Sequence, residues 1–264
     1  FRIIPCVNRI VVAIQSINFN KPALEKIAPD LNTFKDIDYD NNLSKTPLNF
    51  NNVLKLENLT FFYPGNHQPI IKNFSLEIKK NDYLGIIGKS GMGKSTTIDI
   101  IMGLLKPKDG KILVDNIDIQ ENIKVWQKKI GYVSQSIYLI DDSIRNNIAF
   151  GIDKNKIDNR LIENVSKDAQ IFEFIKSLKK GFGTEVGERG IKLSGGQIQR
   201  IGIARELYFE PELIILDEAT SSLDQETESE FLKCLENLRN RKTIIFVSHR
   251  KSALKNCNKI IEIN

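Results

Sequence analysis

Cysteine is scarce in this chain and never paired. Cys6, Cys234 and Cys257 stand far apart among 264 residues and form no C-x-x-C pair. That excludes a disulfide framework and a zinc site, and it fits a reducing, cytosolic compartment. No apolar run reaches the roughly 18 to 20 residues of a membrane span. The apolar residues near the start are interrupted by Arg2, Asn8 and Arg9, so a signal-peptide pattern is lacking too. Long Lys/Arg runs are missing as well. The net charge of +5 is spread along the chain, which describes a solvated basic surface, suits a neighbouring anionic membrane face, and gives no footprint for nucleic acid. There is no internal repeat and no low-complexity tract. The chain opens on Phe1 and not Met, and we expect a piece of a longer polypeptide.

What is present is an ordinary globular composition, 41% hydrophobic and 27% charged, enough for one large domain or two small ones. Over residues 1–28, Ile4, Val7, Val11 and Ile14 recur at spacings of three and four with Arg2, Asn8, Arg9 and Gln15 elsewhere on the wheel, which predicts an amphipathic helix that needs a surface to lie against. Residues 29–52 are polar and rich in Asp and Asn and read as a linker. From residue 53 to 264 short strands begin. Leu54–Glu57, Thr60–Tyr63, Phe74–Ile78 and Lys111–Val114 predict an antiparallel sheet at the edge of a larger core. Tyr83–Ile87, Ile130–Val133, Leu213–Leu216 and Thr243–Val247 are continuous apolar runs, as expected of strands buried on both faces of a parallel sheet. Between about 136 and 210 helical patterns take over, which predicts a helical subdomain inserted into an α/β core.

Residues 88–95 read Gly-Lys-Ser-Gly-Met-Gly-Lys-Ser, a Walker A phosphate loop set between an apolar strand and a helical pattern that begins at Thr96. Gly88, Gly91 and Gly93 let consecutive N–H groups, with Ser90 among them, point at phosphate oxygens, and the following helix aims its positive end at the same anion. Lys94 is placed to reach the β- and γ-phosphates and the Ser95 hydroxyl to ligate Mg²⁺. Leu213-Ile-Ile-Leu-Asp217-Glu218 is a Walker B strand ending in two acids, Asp217 for Mg²⁺ and Glu218 to orient or deprotonate a water. Gln135 closes the Ile130–Gln135 strand, where its amide can touch both metal and water; His249 closes another, within reach of a γ-phosphate. Tyr63 offers a flat ring for adenine. Leu193-Ser194-Gly195-Gly196-Gln197 presents a hydroxyl and bare amides at a predicted helix start, a second set of phosphate-binding groups. Two such sets, far apart in sequence, face either one nucleotide or the nucleotide of a partner.

In this order Tyr63, Gly88–Ser95, Gln135, Leu193–Gln197, Asp217-Glu218, Ser222-Leu223-Asp224 and His249 resemble the nucleotide-binding domain of ABC transporters, over about residues 53–264. The resemblance implies a P-loop NTPase core with an antiparallel β edge and an inserted α-helical signature subdomain. It implies ATP and Mg²⁺, and a head-to-tail dimer in which Ser194-Gly195-Gly196-Gln197 of one domain completes the ATP site of the other, with Asp224 in the loop linking the two sites. Thr184–Gly190 and Ser143–Gly151 are similar to exporter patterns, and Phe1–Gln15 is similar to the cytoplasmic end of the last transmembrane helix in the lipid-linked oligosaccharide flippase branch. A partner membrane domain in the same longer chain, a place on the cytoplasmic face of a membrane, and no nucleic-acid partner are then expected. A soluble ABC ATPase acting on nucleic acid or ribosomes is the alternative, but it would be expected to carry a coiled-coil insertion or tandem cassettes.

Overall fold

The computed structural model describes residues 3–35, 48–89, 91–221 and 223–263, and the chain divides into two units, one carrying the first helix and one everything from Leu48 onward. Helix α1 spans Ile3–Lys35. It therefore runs past residue 28 into the stretch expected as linker. Polar composition does not forbid a helix, and the turn that leads into this stretch is a strong one: Ala23, Leu24, Glu25 and Lys26 are good helix formers, and Lys21 and Glu25 pair at i,i+4. Pro22 and Pro29 lie inside it, each removing one backbone donor. Ile3, Ile10 and Ile17 extend the stripe of Ile4, Val7, Val11 and Ile14 along one side of α1, Val12 lies off it, and all eight are exposed. No helix among the described residues is long and apolar enough to cross a membrane.

Residues 36–47 of the expected linker lie outside the described residues. Its last part belongs to the second unit: Leu48 and Phe50 are buried, and Phe50 meets Trp126 edge to face at 6.2 Å. The Asp115 carboxylate accepts from the backbone N–H groups of Asn51, Asn52 and Val53 and ties this entry down.

The second unit runs β1 (Val53–Phe61), β2 (Ile71–Lys79), β3 (Tyr83–Ile87), α2 (Lys94–Ile101), β4 (Asp109–Val114), β5 (Ile117–Asp118), α3 (Ile123–Gln127) and β6 (Ile130–Val133). Four helices follow, α4 (Ile144–Ile148), α5 (Asn159–Asp168), α6 (Phe172–Ser177) and α7 (Gly195–Tyr208), and then β7 (Leu213–Asp217), α8 (Gln225–Leu238), β8 (Thr243–Val247) and β9 (Lys259–Glu262). An antiparallel sheet has the order β2-β1-β4-β5 and a parallel one the order β6-β7-β8-β3-β9. The two strands expected at 54–57 and 60–63 are one strand. Asn58 sits at φ 49° where the register with β2 shifts, and its N–H is taken by Ser75 Oγ, so the alternation breaks without the strand ending.

Strand alternation divides the parallel sheet between two cores. Ile87, Ile214, Leu216, Ile244 and Phe246 pack with α4–α8, whereas Leu84, Ile86, Leu213, Ile215, Ile245 and Val247 pack with the antiparallel sheet, α2 and Trp126. The expectation of burial on both faces holds for β3, β7 and β8. It does not hold for β6, whose Tyr132 is 37% exposed, because β6 is the sheet's edge.

Candidate nucleotide site

Register alone brings the distant strand ends together. Ile86 pairs with Val247, so Gly88 and His249, two residues beyond each, emerge side by side. Asp217 pairs with Val247 and Leu216 with Val133, which sets Glu218 next to the His249 loop and brings Gln135, two residues beyond Val133, out at the same edge as Glu218. All of this lies at the carboxyl edge of a parallel sheet, where such sheets hold ligands.

The loop from Gly88 to Gly93 bends tightly against the last strand. A β-carbon at residue 88 would come 2.6 Å from the Ile263 carbonyl, so only glycine fits, and Gly91 and Gly93 take φ of 81° and 89°. Ser90 lies outside the described residues. The Lys94 side chain is buried and its ammonium donates to the carbonyls of Gly88 (2.9 Å) and Lys89 (3.0 Å), curled over the loop it follows. Ser95 is exposed in the first turn of α2. Thr96 Oγ1 lies 3.1 Å from the Tyr63 hydroxyl, and the Tyr63 ring stands edge to face on Phe61 with 38% of its surface open. Tyr63 is thus held beside the loop with its ring available.

His249 faces two acceptors. Its Nδ1 is 3.2 Å from the Gly88 carbonyl and its Nε2 is in close contact with Glu218 Oε1. Glu218 sits at φ 52°, left-handed backbone for a residue with a side chain, with its N–H on the Val247 carbonyl. Asp217 has its carboxyl pushed up by burial and by the charges of Glu218 and Asp99, against the pull of a hydrogen bond from Tyr132 and of Lys94. Gln135 donates its amide nitrogen to Ser221 Oγ at 3.0 Å, while its backbone carbonyl accepts from Gln199 on α7. Arg250 completes the rim, its guanidinium reaching Glu228 on α8 and the Ser221 carbonyl.

The signature residues make a different set of contacts. Ser194 caps α7 in a reciprocal box: its hydroxyl accepts from the Gln197 N–H and its own N–H donates to the Gln197 side chain. Gly196 lies against Thr227 and Gly195 against Leu223, so the start of α7 meets the start of α8 and not the phosphate loop. Asp224 caps α8, accepting from Glu226, Thr227 and the Thr227 hydroxyl, and these bonds hold its carboxyl below the usual range. Ser222 lies outside the described residues.

Sequence reasoning missed Tyr132, Gln199, Ser221 and Arg250. Tyr132 donates from its hydroxyl to Asp217 Oδ2 at 3.2 Å. Its only sequence signal is a polar-tipped aromatic in the strand two residues before Ser134-Gln135.

A buried sheet edge carrying a phosphate loop, two strand-end acids and a strand-end histidine defines a P-loop nucleotide-binding domain. The chain belongs to the ABC transporter family, whose model matches residues 71–221. It is 42% identical over 221 residues to the multidrug resistance-like ATP-binding protein MdlA of Buchnera aphidicola, covering 83% of this chain and 38% of that protein. With the ATP-dependent lipid A-core flippase of Pasteurella multocida it shares 38% over 216 residues, 81% of this chain and 37% of the other. The structure of a bacterial Atm1-family ABC exporter with ATP bound superposes with a TM-score of 0.74 at 32% identity, over 91% of this chain and 42% of that one. The chain thus spans just over a third of the length of these curated relatives.

Proposed function

We propose that this chain is the ATP-binding and ATP-hydrolysing domain of an ABC exporter, which exports or flips a substrate as two such domains close on ATP. The observation that carries the reading is the convergence of Gly88, Lys94, Asp217, Glu218 and His249 at one mouth, with the signature helix end presented elsewhere on the same unit. Gly88, Ser90, Gly91, Gly93, Lys94, Ser95 and Thr96 would hold the phosphates and Tyr63 the adenine. Ser194, Gly195, Gly196 and Gln197 would serve the ATP of a second ABC domain, and Asp224 would link the two sites. The partners are that second domain and a membrane domain in the same longer polypeptide, at the cytoplasmic face of a membrane. The names of the relatives range from multidrug resistance to lipid A-core flipping, so a lipid-linked oligosaccharide gains no particular support.

The donor set fits Mg²⁺. The Ser95 hydroxyl, the Gln135 side-chain carbonyl and the Asp217 carboxylate are hard oxygen ligands. No cluster of three or more His, Cys, Asp or Glu suited to a metal occurs among the described residues, which matches a cation held by one carboxylate together with substrate phosphates. When bound, Mg²⁺ would neutralise charge on the β- and γ-phosphates. Glu218 would take the proton of the attacking water, oriented by His249, while Lys94 leaves the loop carbonyls for the phosphates. Glu218→Gln should bind ATP normally and hydrolyse it at least about a hundredfold more slowly, the usual worth of a positioned general base. Phosphate release at the unsubstituted rate would refute the role given to Glu218.

A further inference from the structure

Asp217 is the one carboxylate in the proposed cation donor set, and an Asp side chain turns freely about its last torsion unless something holds it. Tyr132 is built to hold it. The tyrosine lies in β6, paired to β7 so that Tyr132 faces Ile215 and the next pair carries Leu216, one residue short of Asp217. Its backbone N–H donates to Glu206 Oε2 on α7 at 3.2 Å. Gly131 keeps this strand close on that helix, because a β-carbon there would approach the Glu206 side chain to 3.0 Å. Fixed at its backbone, the residue extends its hydroxyl to Asp217 Oδ2, 3.2 Å away. The ring itself borders an open cleft of about 360 Å³ with Asp99, Leu104 and Gln127, so it is not locked into a core. Its polar tip makes the contact that sequence pattern and packing leave unexplained.

We propose that Tyr132 is a positioning residue for the metal site: its hydroxyl occupies one oxygen of Asp217 and turns the other toward the cation that accompanies ATP. The inference rests on the nucleotide-site reading above. Because Glu206 lies on the helix that starts with the signature residues, the same tyrosine ties the orientation of the metal ligand to the seat of α7.

Binding of a fluorescent ATP analogue to the whole chain, measured once with Mg²⁺ and once with EDTA, tests this. For the unsubstituted chain Mg²⁺ should tighten binding. Tyr132→Phe should match it in EDTA and unfold at the same temperature, yet lose about tenfold in affinity with Mg²⁺, the lower end for removing a group that orients a metal ligand. Equal affinities for the two proteins in both media would overturn the proposal. An equal loss in both media would overturn it too, since the hydroxyl would then support the fold and not the ligand. If the unsubstituted chain bound no nucleotide in either medium, the nucleotide-site reading itself would fall and the tether with it.

Discussion

Glu218 carries the clearest tension at the scale of single residues. A left-handed backbone at φ 52° costs a side-chain-bearing residue roughly 1–2 kcal/mol, and strand β7 delivers the chain into it because the Glu218 N–H is captured by Val247. Glu218→Gly removes that strain and adds freedom to the unfolded chain in part compensation. Thermal unfolding should therefore show the variant no less stable than the parent, while its ATP hydrolysis is lost. A clear drop in melting temperature would mean that the His249 contact stabilises more than the strain costs. The placement of such residues was legible in sequence: Lys94, Asp217, Glu218 and His249 all stand at strand or helix ends that apolar runs mark out. Tyr132 and Asp217, or Gln135 and Ser221, were not, because partners more than 80 residues apart meet only through a strand register. Periodicity places a residue on a strand; it does not say which strand lies next to it.

Elements were legible where burial imposes a pattern and blurred where a local irregularity interrupts it. The parallel strands β3, β7 and β8 stood out as apolar runs, whereas the bulge at Asn58 split β1 in two and the polar residues after 28 hid the continuation of α1. The contact between α7 and α8 was hidden in another way. Glycines at the signature read as phosphate-binding equipment, yet Gly196 is also where two helix starts touch: an added β-carbon would come 2.1 Å from Thr227 Cγ2. Thr227 cannot swing aside cheaply, since its N–H and its hydroxyl are both engaged by Asp224. Gly196→Ala should thus destabilise by about 1–3 kcal/mol through overpacking, against a helix-propensity gain of about 1 kcal/mol for Ala over Gly. Thr227→Ser deletes the obstructing methyl and keeps the hydroxyl for Asp224, so the double variant should recover most of the loss. Denaturant unfolding of the four proteins in the cycle measures this, and strictly additive effects would show that the two residues do not press on each other.

At the scale of the whole molecule, the phosphate loop and the signature residues lie on one unit, and the signature end faces α8 and not the loop that would cradle ATP. On the function proposed above, one domain would offer half of each of two sites, and a second copy in head-to-tail arrangement would complete both. Glu218→Gln should convert the chain to a dimer on adding ATP and Mg²⁺, because slow hydrolysis leaves the closed pair populated. Light scattering reads this directly. The apolar surface of α1 is a source of association that owes nothing to nucleotide, so the informative quantity is the change in mass on adding ATP, compared with ADP at the same concentration. Ser194→Arg in the same background should bind ATP as a single chain yet fail to gain mass, since it obstructs the surface offered to the partner and leaves its own phosphate loop intact. If that variant lost ATP affinity as a monomer, the signature would be serving its own nucleotide, and the shared-site arrangement would have to be abandoned. A doubling of mass that needs ATP, Mg²⁺ and an unobstructed Ser194 would instead tie the two ends of one unit into a single closing engine.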